Sequence, residues 1–136
     1  MNVAVRFYSR SGNTKLLANA VAAAAGVTAE SVDTPLDERV DLLLLGSSLY
    51  KAGIDPSIAG FIEANAANIG RIAVFGSAAS GRSTLKKVAA VAEKYGVRTC
   101  DDFFACPGEF LFLNKGRPND ADLAKAADWA KRLVNG

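Results

Sequence analysis

Apolar segments with the spacing of strands and of helices alternate along the whole chain. Short apolar runs predict five strands, at about residues 2–8, 28–32, 40–46, 71–75 and 97–106. Apolar residues spaced three and four apart predict helices after the first, third, fourth and fifth of these strands. The third run is apolar at almost every position, which is typical of a strand buried on both faces. This alternation predicts an α/β fold: a three-layer sandwich whose five-stranded parallel sheet lies between helices.

Residues that are common at helix ends mark where the predicted helices begin and end. Asp55 followed by Pro56 predicts an N-cap and a first helical residue. Ser83 is predicted to cap the next helix, and Asn119 with an acidic residue three positions later predicts a capping box for the last one. The first helix is predicted to stop at Gly26. These signals support the helix assignments independently of the apolar spacing.

Composition narrows the class of protein. The chain has 136 residues, half of them hydrophobic, which predicts one folded domain over residues 1–136. No apolar run is long enough to cross a bilayer, and Met1 leads almost directly into the first strand without a signal peptide. We therefore expect a cytoplasmic protein that does not bind membranes. The net charge of +2, with Lys and Arg scattered along the chain, argues against nucleic-acid binding.

The residue types that usually carry catalysis or bind metals are scarce. The chain has no histidine, which removes the commonest general acid or base and the commonest metal ligand. No metal site is predicted, and any chemistry is expected to come from a bound organic cofactor. Cys100 and Cys106 match no zinc or redox motif, and their even spacing puts them on one face of the predicted fifth strand, too far apart for a disulfide. They are predicted to be free, buried thiols.

A hydroxyl-rich turn joins the first predicted strand to the first predicted helix. Its residues are Ser9, Arg10, Ser11, Gly12, Asn13 and Thr14. The unpaired N–H groups and the dipole of a helix N-terminus attract an anion. Glycine allows close approach of the backbone, and hydroxyls add donors without adding charge. The turn is therefore predicted to hold a phosphate group. The alternative is an ordinary helix cap, because Ser, Thr and Asn are common capping residues.

Two further polar segments follow predicted strands. In a parallel sheet, ligands bind at the carboxyl ends of the strands, where the strand order reverses. Three segments are expected to meet there, at residues 9–14, 47–53 and 76–82, and all three are rich in small polar residues.

The spelling Ser-x-Ser-Gly-Asn-Thr after a first strand resembles the phosphate loop of the flavodoxin family, and the length and alternation resemble a short-chain flavodoxin. This resemblance implies the strand order 2-1-3-4-5, with FMN bound at the tips of strands 1, 3 and 4. The cofactor-binding residues that it implies are Ser9, Arg10, Ser11, Gly12, Asn13, Thr14, Ser47, Ser48, Leu49, Tyr50, Gly53, Gly76, Ser77, Ala78, Ala79 and Gly81.

Individual roles follow from the same resemblance. Tyr50 is expected to stack on one face of the isoalloxazine ring, although it could instead be an exposed aromatic that caps its loop. Gly53 is the nearest flexible position for a peptide that changes its hydrogen bond to the ring. The segment 76–81 is expected to flank the other face. Electron-carrying flavodoxins are usually strongly acidic, whereas this chain has a pI near 8.6, so the usual acidic docking surface is not expected.

Aromatic residues near the fifth strand allow two interpretations. Phe103, Phe104, Phe110 and Phe112 could line a cofactor, but core packing is favoured for residues on a strand. The strand itself could continue to about residue 113 after a break at Pro107. Trp129 is predicted to pack against the sheet.

Three functions remain open on the sequence. The favoured one is an FMN protein that carries electrons between redox partner proteins. The second is an FMN-dependent reductase with its own small substrate, such as a quinone. The third is a flavodoxin-like regulatory module that binds another phosphorylated ligand, or none. Whether the chain is an enzyme is left undecided.

Overall fold

Strands and helices alternate in the computed structural model, which describes residues 1–10, 12–48, 53–78, 84–107 and 116–136. The strands are β1 (Val3–Phe7), β2 (Ala29–Ser31), β3 (Val40–Ser48), β4 (Ile69–Ala78), β5 (Arg98–Thr99) and β6 (Phe104–Pro107). The helices are α1 (Asn13–Ala25), α2 (Pro56–Asn65), α3 (Leu85–Lys94) and α4 (Asp120–Asn135), and a 3-10 turn (Ala66–Asn68) follows α2.

All strand pairs in the described sheet are parallel. The order is β2-β1-β3-β4-β5, and β6 pairs with β4 beyond β5. Val5 lies opposite Leu44 across β1 and β3, and Leu44 lies opposite Ala73 across β3 and β4. The order 2-1-3-4-5 that the resemblance implied is confirmed. It places the reversal of strand order between β1 and β3.

Helices cover both faces of the sheet. Alternate residues of β3 point to opposite faces, and Leu42, Leu43, Leu44 and Leu45 are all fully buried. Leu43 and Leu45 pack in one core cluster with apolar residues of α2 and α3, whereas Leu42 and Leu44 pack in the other with apolar residues of α1 and α4. The prediction of a central strand buried on both faces is confirmed.

Most of the predicted helix ends are confirmed. The Asp55 side chain accepts a hydrogen bond from the Ser57 N–H at 3.0 Å, with Pro56 as the first residue of α2. Asn119 and Asp122 form the predicted capping box of α4. Gly26 ends α1 in the left-handed conformation. Thr84 is the N-cap of α3, and the predicted cap at Ser83 lies outside the described residues.

The edge of the sheet beyond β4 differs from the prediction of one strand over residues 97–106. Arg98 lies opposite Arg71, and Phe104 lies opposite Phe75. Thr99 lies opposite Ile72, so four edge residues (100–103) span a stretch where β4 has two (73–74), and the edge carries an insertion of two residues between β5 and β6. The inserted region also forms a hydrogen bond to α4: Asp102 Oδ1 accepts from the Trp129 indole N–H at 3.2 Å.

Side chains at this edge of the sheet pack in the core as predicted, except for Phe103. An insertion of two residues preserves the alternation of a strand, and Cys100 and Cys106 both pack on the cluster formed with α1 and α4. Both thiols are free as predicted, although Cys100 is only half-buried. Phe104 packs against Trp129, with ring centroids 6.2 Å apart. The prediction that Phe103 belongs to the core is wrong, because that side chain is 43% exposed beside the insertion.

Candidate functional site

The turn after β1 adopts a conformation that requires glycine. Gly12 has φ +92°, a left-handed value that other residues rarely adopt. Its N–H donates a hydrogen bond to Ser9 Oγ at 2.9 Å, which closes the turn on itself. Ser9 therefore shapes the turn through its hydroxyl. Ser11, which the sequence assigned to the same turn, lies outside the described residues.

The start of α1 has no side-chain cap. Its N-cap is Gly12, and among the described residues no side chain forms a capping hydrogen bond there. The start of α3 at Thr84 also lacks a side-chain cap, whereas Asp55 caps α2 and Asn119 caps α4. The first N–H groups of a helix have no acceptors within the helix, so an uncapped N-terminus is a site for an external anion. The interpretation of this turn as an ordinary side-chain cap is therefore not favoured.

Three buried hydroxyl groups lie together just behind the turn. Thr14 Oγ1 is 2.6 Å from Ser48 Oγ and 3.4 Å from Ser77 Oγ, and the two serine hydroxyls are 3.5 Å apart. We call Thr14, Ser48 and Ser77 the hydroxyl cluster. The exposed fractions of these residues are 0%, 7% and 2%. The cluster joins the start of α1 to the ends of β3 and β4, so the three predicted loops share one buried anchor.

Two of the predicted loops begin later than the sequence indicated. Ser47 and Ser48 continue β3, and Gly76, Ser77 and Ala78 continue β4. Small polar residues are typical of a turn, but here β3 and β4 provide hydrogen-bond partners for each other. Ser47 lies opposite Gly76, and Ser48 lies opposite Ser77. Ser47 is fully buried, with its hydroxyl donating to the carbonyl oxygen of Ser48 at 3.3 Å.

The close approach of β3 and β4 explains two glycines at this end of the sheet. A Cβ at Gly76 would lie 1.9 Å from the carbonyl oxygen of Ser47. A Cβ at Gly46 would lie 2.4 Å from the Phe75 ring and 3.1 Å from Thr14 Cγ2. Both positions exclude larger residues because neighbouring atoms occupy the space. The structure thus gives Gly76 a packing function, and its predicted contact with a cofactor remains a prediction.

The cap of α2, Asp55, lies within electrostatic reach of the turn. The hydroxyl and backbone N–H of Ser57 lower the pKa of the Asp55 carboxyl group, and the Arg10 guanidinium and the Tyr8 hydroxyl lower it further. The sequence identified Asp55 only as a helix cap and did not single out Tyr8. The proximity of Asp55 and Tyr8 to Arg10 depends on how the end of β1 packs near the start of α2, which the local sequence does not reveal.

Several predicted cofactor residues lie outside the described part of the chain. These are Ser11, Leu49, Tyr50, Ala79 and Gly81. Gly53 is described and has φ +104°, and a Cβ there would be 3.9 Å from Cε of Lys87. The positive φ agrees with the predicted conformational freedom of Gly53. Its hydrogen bond to a flavin remains a prediction, as does the stacking of Tyr50.

A groove of about 750 Å³ lies along β5, away from the hydroxyl cluster. Its lining combines the guanidinium groups of Arg71 and Arg98 with the carboxylates of Glu93, Asp101 and Asp102, so the groove carries charges of both signs.

Among the described residues, no group of three or more His, Cys, Asp or Glu is arranged to hold a metal ion. No described helix has the length and apolar character needed to span a membrane.

Sequence comparisons find no matching family model and no matching curated protein. Solved structures do match. A flavodoxin from the domain Archaea gives a TM-score of 0.78 at 23% identity, covering 99% of this chain and 97% of that chain. A short-chain flavodoxin associated with a bacterial microcompartment gives 0.72 at 17% identity, covering 99% and 98%.

A larger protein contains a similar unit. The flavodiiron core from Synechocystis gives a TM-score of 0.75 at 22% identity, with 99% of this chain matching 35% of that one. Likeness at these identities is evidence of a shared fold. The chain therefore has the flavodoxin fold, with its uncapped helix at the reversal of strand order.

Proposed function

We propose that this chain, which has the flavodoxin fold, binds FMN and transfers electrons between redox partner proteins. Solved structures that are flavodoxins support the proposal, since they cover nearly the whole chain in both directions. The single observation that carries it is the uncapped N-terminus of α1 behind Gly12. α3 also lacks a side-chain cap, so the position of α1 distinguishes it: α1 follows β1, where the strand order reverses.

The backbone at the start of α1 is the proposed holder of the FMN phosphate. The segment from Ser9 to Thr14 contains one charged residue, Arg10, whose guanidinium also acts on Asp55. N–H groups and the helix dipole are therefore expected to provide most of the attraction for the phosphate. The Thr14 hydroxyl is used in the hydroxyl cluster, so Thr14 contributes its N–H to the phosphate and its side chain to the position of α1.

The ring of FMN is expected to lie between the segments that follow β3 and β4. When bound, FMN supplies the redox chemistry, because its ring takes up and releases electrons. Tyr50 is proposed to cover one face and residues 76–81 to flank the other. Ser48 and Ser77 fix where these two segments leave the sheet, because both are buried and bonded in the hydroxyl cluster. These residues orient the ring relative to the phosphate.

An absorption spectrum tests the proposal. The purified protein is incubated with FMN, free FMN is removed, and the visible flavin bands are measured. We expect about one flavin per chain, and retention of no flavin would contradict the proposal.

Addition of NADPH to the FMN-loaded protein separates two functions. If the flavin bands bleach only when a partner reductase is also present, the protein is an electron carrier. Rapid bleaching by NADPH alone would support the flavin-dependent reductase.

A further inference from the structure

Exposed cations gather at the end of the sheet where the flavin is proposed to bind. Arg10 follows β1, Lys15 lies in the first turn of α1, and Lys86 and Lys87 lie in the first turn of α3. All four are exposed, and we call them the basic rim. In the sequence they look scattered, because about 70 positions separate Lys15 from Lys86. The parallel sheet brings the starts of its helices to one end and so collects them.

Two observations place part of the basic rim beside the segment that follows β3. The Arg10 guanidinium acts on the Asp55 carboxylate, which lies two positions after Gly53. A Cβ at Gly53 would be 3.9 Å from Cε of Lys87. Arg10 and Lys87 thus both border the short segment 53–55, next to the loop that is proposed to cover the flavin ring.

The lysines of the rim have no acidic residue in their own helix turns, because the first turns of α1 and α3 contain no Asp or Glu. Two other helix starts do carry acidic residues: Asp55 caps α2 near Arg10, and α4 begins with Asp120 and Asp122. In the described part of the chain, the ion pairs join Arg6 to Glu30 and Arg117 to Asp122, and neither involves a lysine of the rim. A helix N-terminus already carries partial positive charge, so lysines there do not stabilise their own helices. Their placement instead adds to the positive potential at this end.

We propose that the basic rim is the docking surface for an electron-transfer partner protein that presents an acidic face. The inference rests on the proposed function, because it places the partner over the proposed flavin. Opposite charges steer two proteins together and raise the rate of productive encounter. The phosphate of FMN offsets part of the positive charge, so the FMN-loaded protein is the form to test.

Two cytochromes of opposite surface charge serve as probe partners. The bound flavin is reduced with dithionite, excess reductant is removed, and the protein is mixed in a stopped-flow instrument with an acidic b-type or a basic c-type cytochrome. In each transfer, the flavin loses one electron and the ferric haem iron gains it. With the acidic cytochrome we expect the rate constant to fall about tenfold as ionic strength rises from about 10 to 200 mM. With the basic cytochrome we expect it to rise. The opposite pair of salt dependences would overturn the proposal.

Paired variants locate the effect. Lys86→Gln/Lys87→Gln removes two charges from the basic rim, and Lys131→Gln/Arg132→Gln removes two exposed charges near the end of α4, away from the rim. At low salt, the rim variant is expected to slow transfer to the acidic cytochrome at least threefold, whereas the α4 variant should stay within a factor of two. Equal slowing by both variants would show that net charge, and not this surface, governs docking.

A binding measurement tests the surface without electron transfer. The acidic cytochrome is titrated into ¹⁵N-labelled protein, with and without FMN, and amide shifts are mapped. We expect the shifts to cluster at Arg10, Lys15 and the start of α3, and shifts centred on the C-terminal end of α4 would overturn the proposal. If NADPH saturates these same amides while the cytochrome moves none, the rim binds a nucleotide instead. If no FMN binds, the proposed function fails, while the map on the FMN-free protein still decides the charge of the docking face.

Discussion

Thr14 Oγ1 lies 2.6 Å from Ser48 Oγ, in a position with almost no access to solvent. This hydrogen bond joins the first turn of α1 to the last residue of β3. Ser77 Oγ, 3.4 Å from Thr14 Oγ1, extends the link to β4. The turn that is proposed to hold the phosphate and the two segments that are proposed to flank the flavin are therefore fixed to one another by these three buried side chains.

Removal of the Thr14 hydroxyl should affect both stability and FMN binding. In Thr14→Ala the Ser48 hydroxyl keeps only the long contact to Ser77. We expect the free energy of unfolding to fall by about 1–2 kcal/mol and the Kd for FMN to rise several-fold, since the start of α1 loses its anchor. Chemical denaturation and fluorescence titration measure the two effects. Thr14→Ser keeps the hydroxyl and serves as the control, and equal losses in both variants would show that the hydrogen bond is unimportant.

A matched pair of glycine substitutions tests the turn. Gly12→Ala forces a side chain into φ +92° and should lower the free energy of unfolding by about 1–2 kcal/mol. It should also weaken FMN binding if the turn holds the phosphate. Gly60 lies in α2 with no atom near its missing Cβ, so Gly60→Ala should raise stability by about 0.5–1 kcal/mol. Thermal unfolding distinguishes them, and a stable Gly12→Ala variant with normal FMN affinity would contradict the structure of the turn.

The start of α4 should show a defined pH dependence. The Arg117 guanidinium, followed by the Asn119 N–H, holds the pKa of Asp122 below its ordinary value of 3.8. A lowered pKa means that the charged carboxylate stabilises the folded state above about pH 4, and that this stability is lost as pH falls through the lowered pKa. At pH 7, Asp122→Ala should lower the free energy of unfolding by about 1–2 kcal/mol.

The neighbouring acidic residue of the same turn provides the control. Asp120 is exposed, so Asp120→Ala should cost only about 0.3–1 kcal/mol through the helix dipole. Denaturation curves between pH 2.5 and 7 should show the difference between wild type and Asp122→Ala shrinking at low pH. A constant difference over this range would mean that the ionised carboxylate does not stabilise α4.

The buried thiol should be unreactive in the native protein. Burial raises the pKa of Cys106 to about 11, and the Asp122 carboxylate adds to this. Because the thiolate is the reactive form, iodoacetamide at pH 8 should leave Cys106 unmodified in the native state and alkylate both cysteines in denaturant. Mass spectrometry of the digested protein measures this. Rapid alkylation of native Cys106 would contradict its position in the core.

The sequence predicted the architecture well because the apolar pattern is regular. The leucines of residues 42–45 leave few alternatives to a central buried strand, and Asp55 with Pro56 is a strong helix start. The sequence-based prediction failed where pairing between distant segments decides where a strand begins and ends. Ser47 and Ser48 read as a turn, yet β4 lies close enough to pair with both. The interruption after Thr99 depends on the register against β4, which no local signal encodes.

The candidate site was predicted in part for the same reason. The turn and its Gly12 are visible in sequence, because a strand, a small polar turn and a helix follow one another. The hydroxyl cluster is not visible, since Thr14 is 34 positions from Ser48 and 63 from Ser77. Similarly, the Lys and Arg residues looked scattered until the sheet placed the starts of α1 and α3 at one end.

A comparison of flavin affinities tests the central claim, that the start of α1 holds the phosphate monoester of FMN. The protein is titrated with FMN, riboflavin and FAD while flavin fluorescence is followed. Loss of hydrogen bonds to a charged group costs about 1.5–3 kcal/mol each, so riboflavin should bind more than tenfold more weakly than FMN. FAD should also bind weakly, because its phosphate is no longer terminal. Equal affinity for FMN and riboflavin would contradict the claim, because the turn after β1 would then not be a phosphate site.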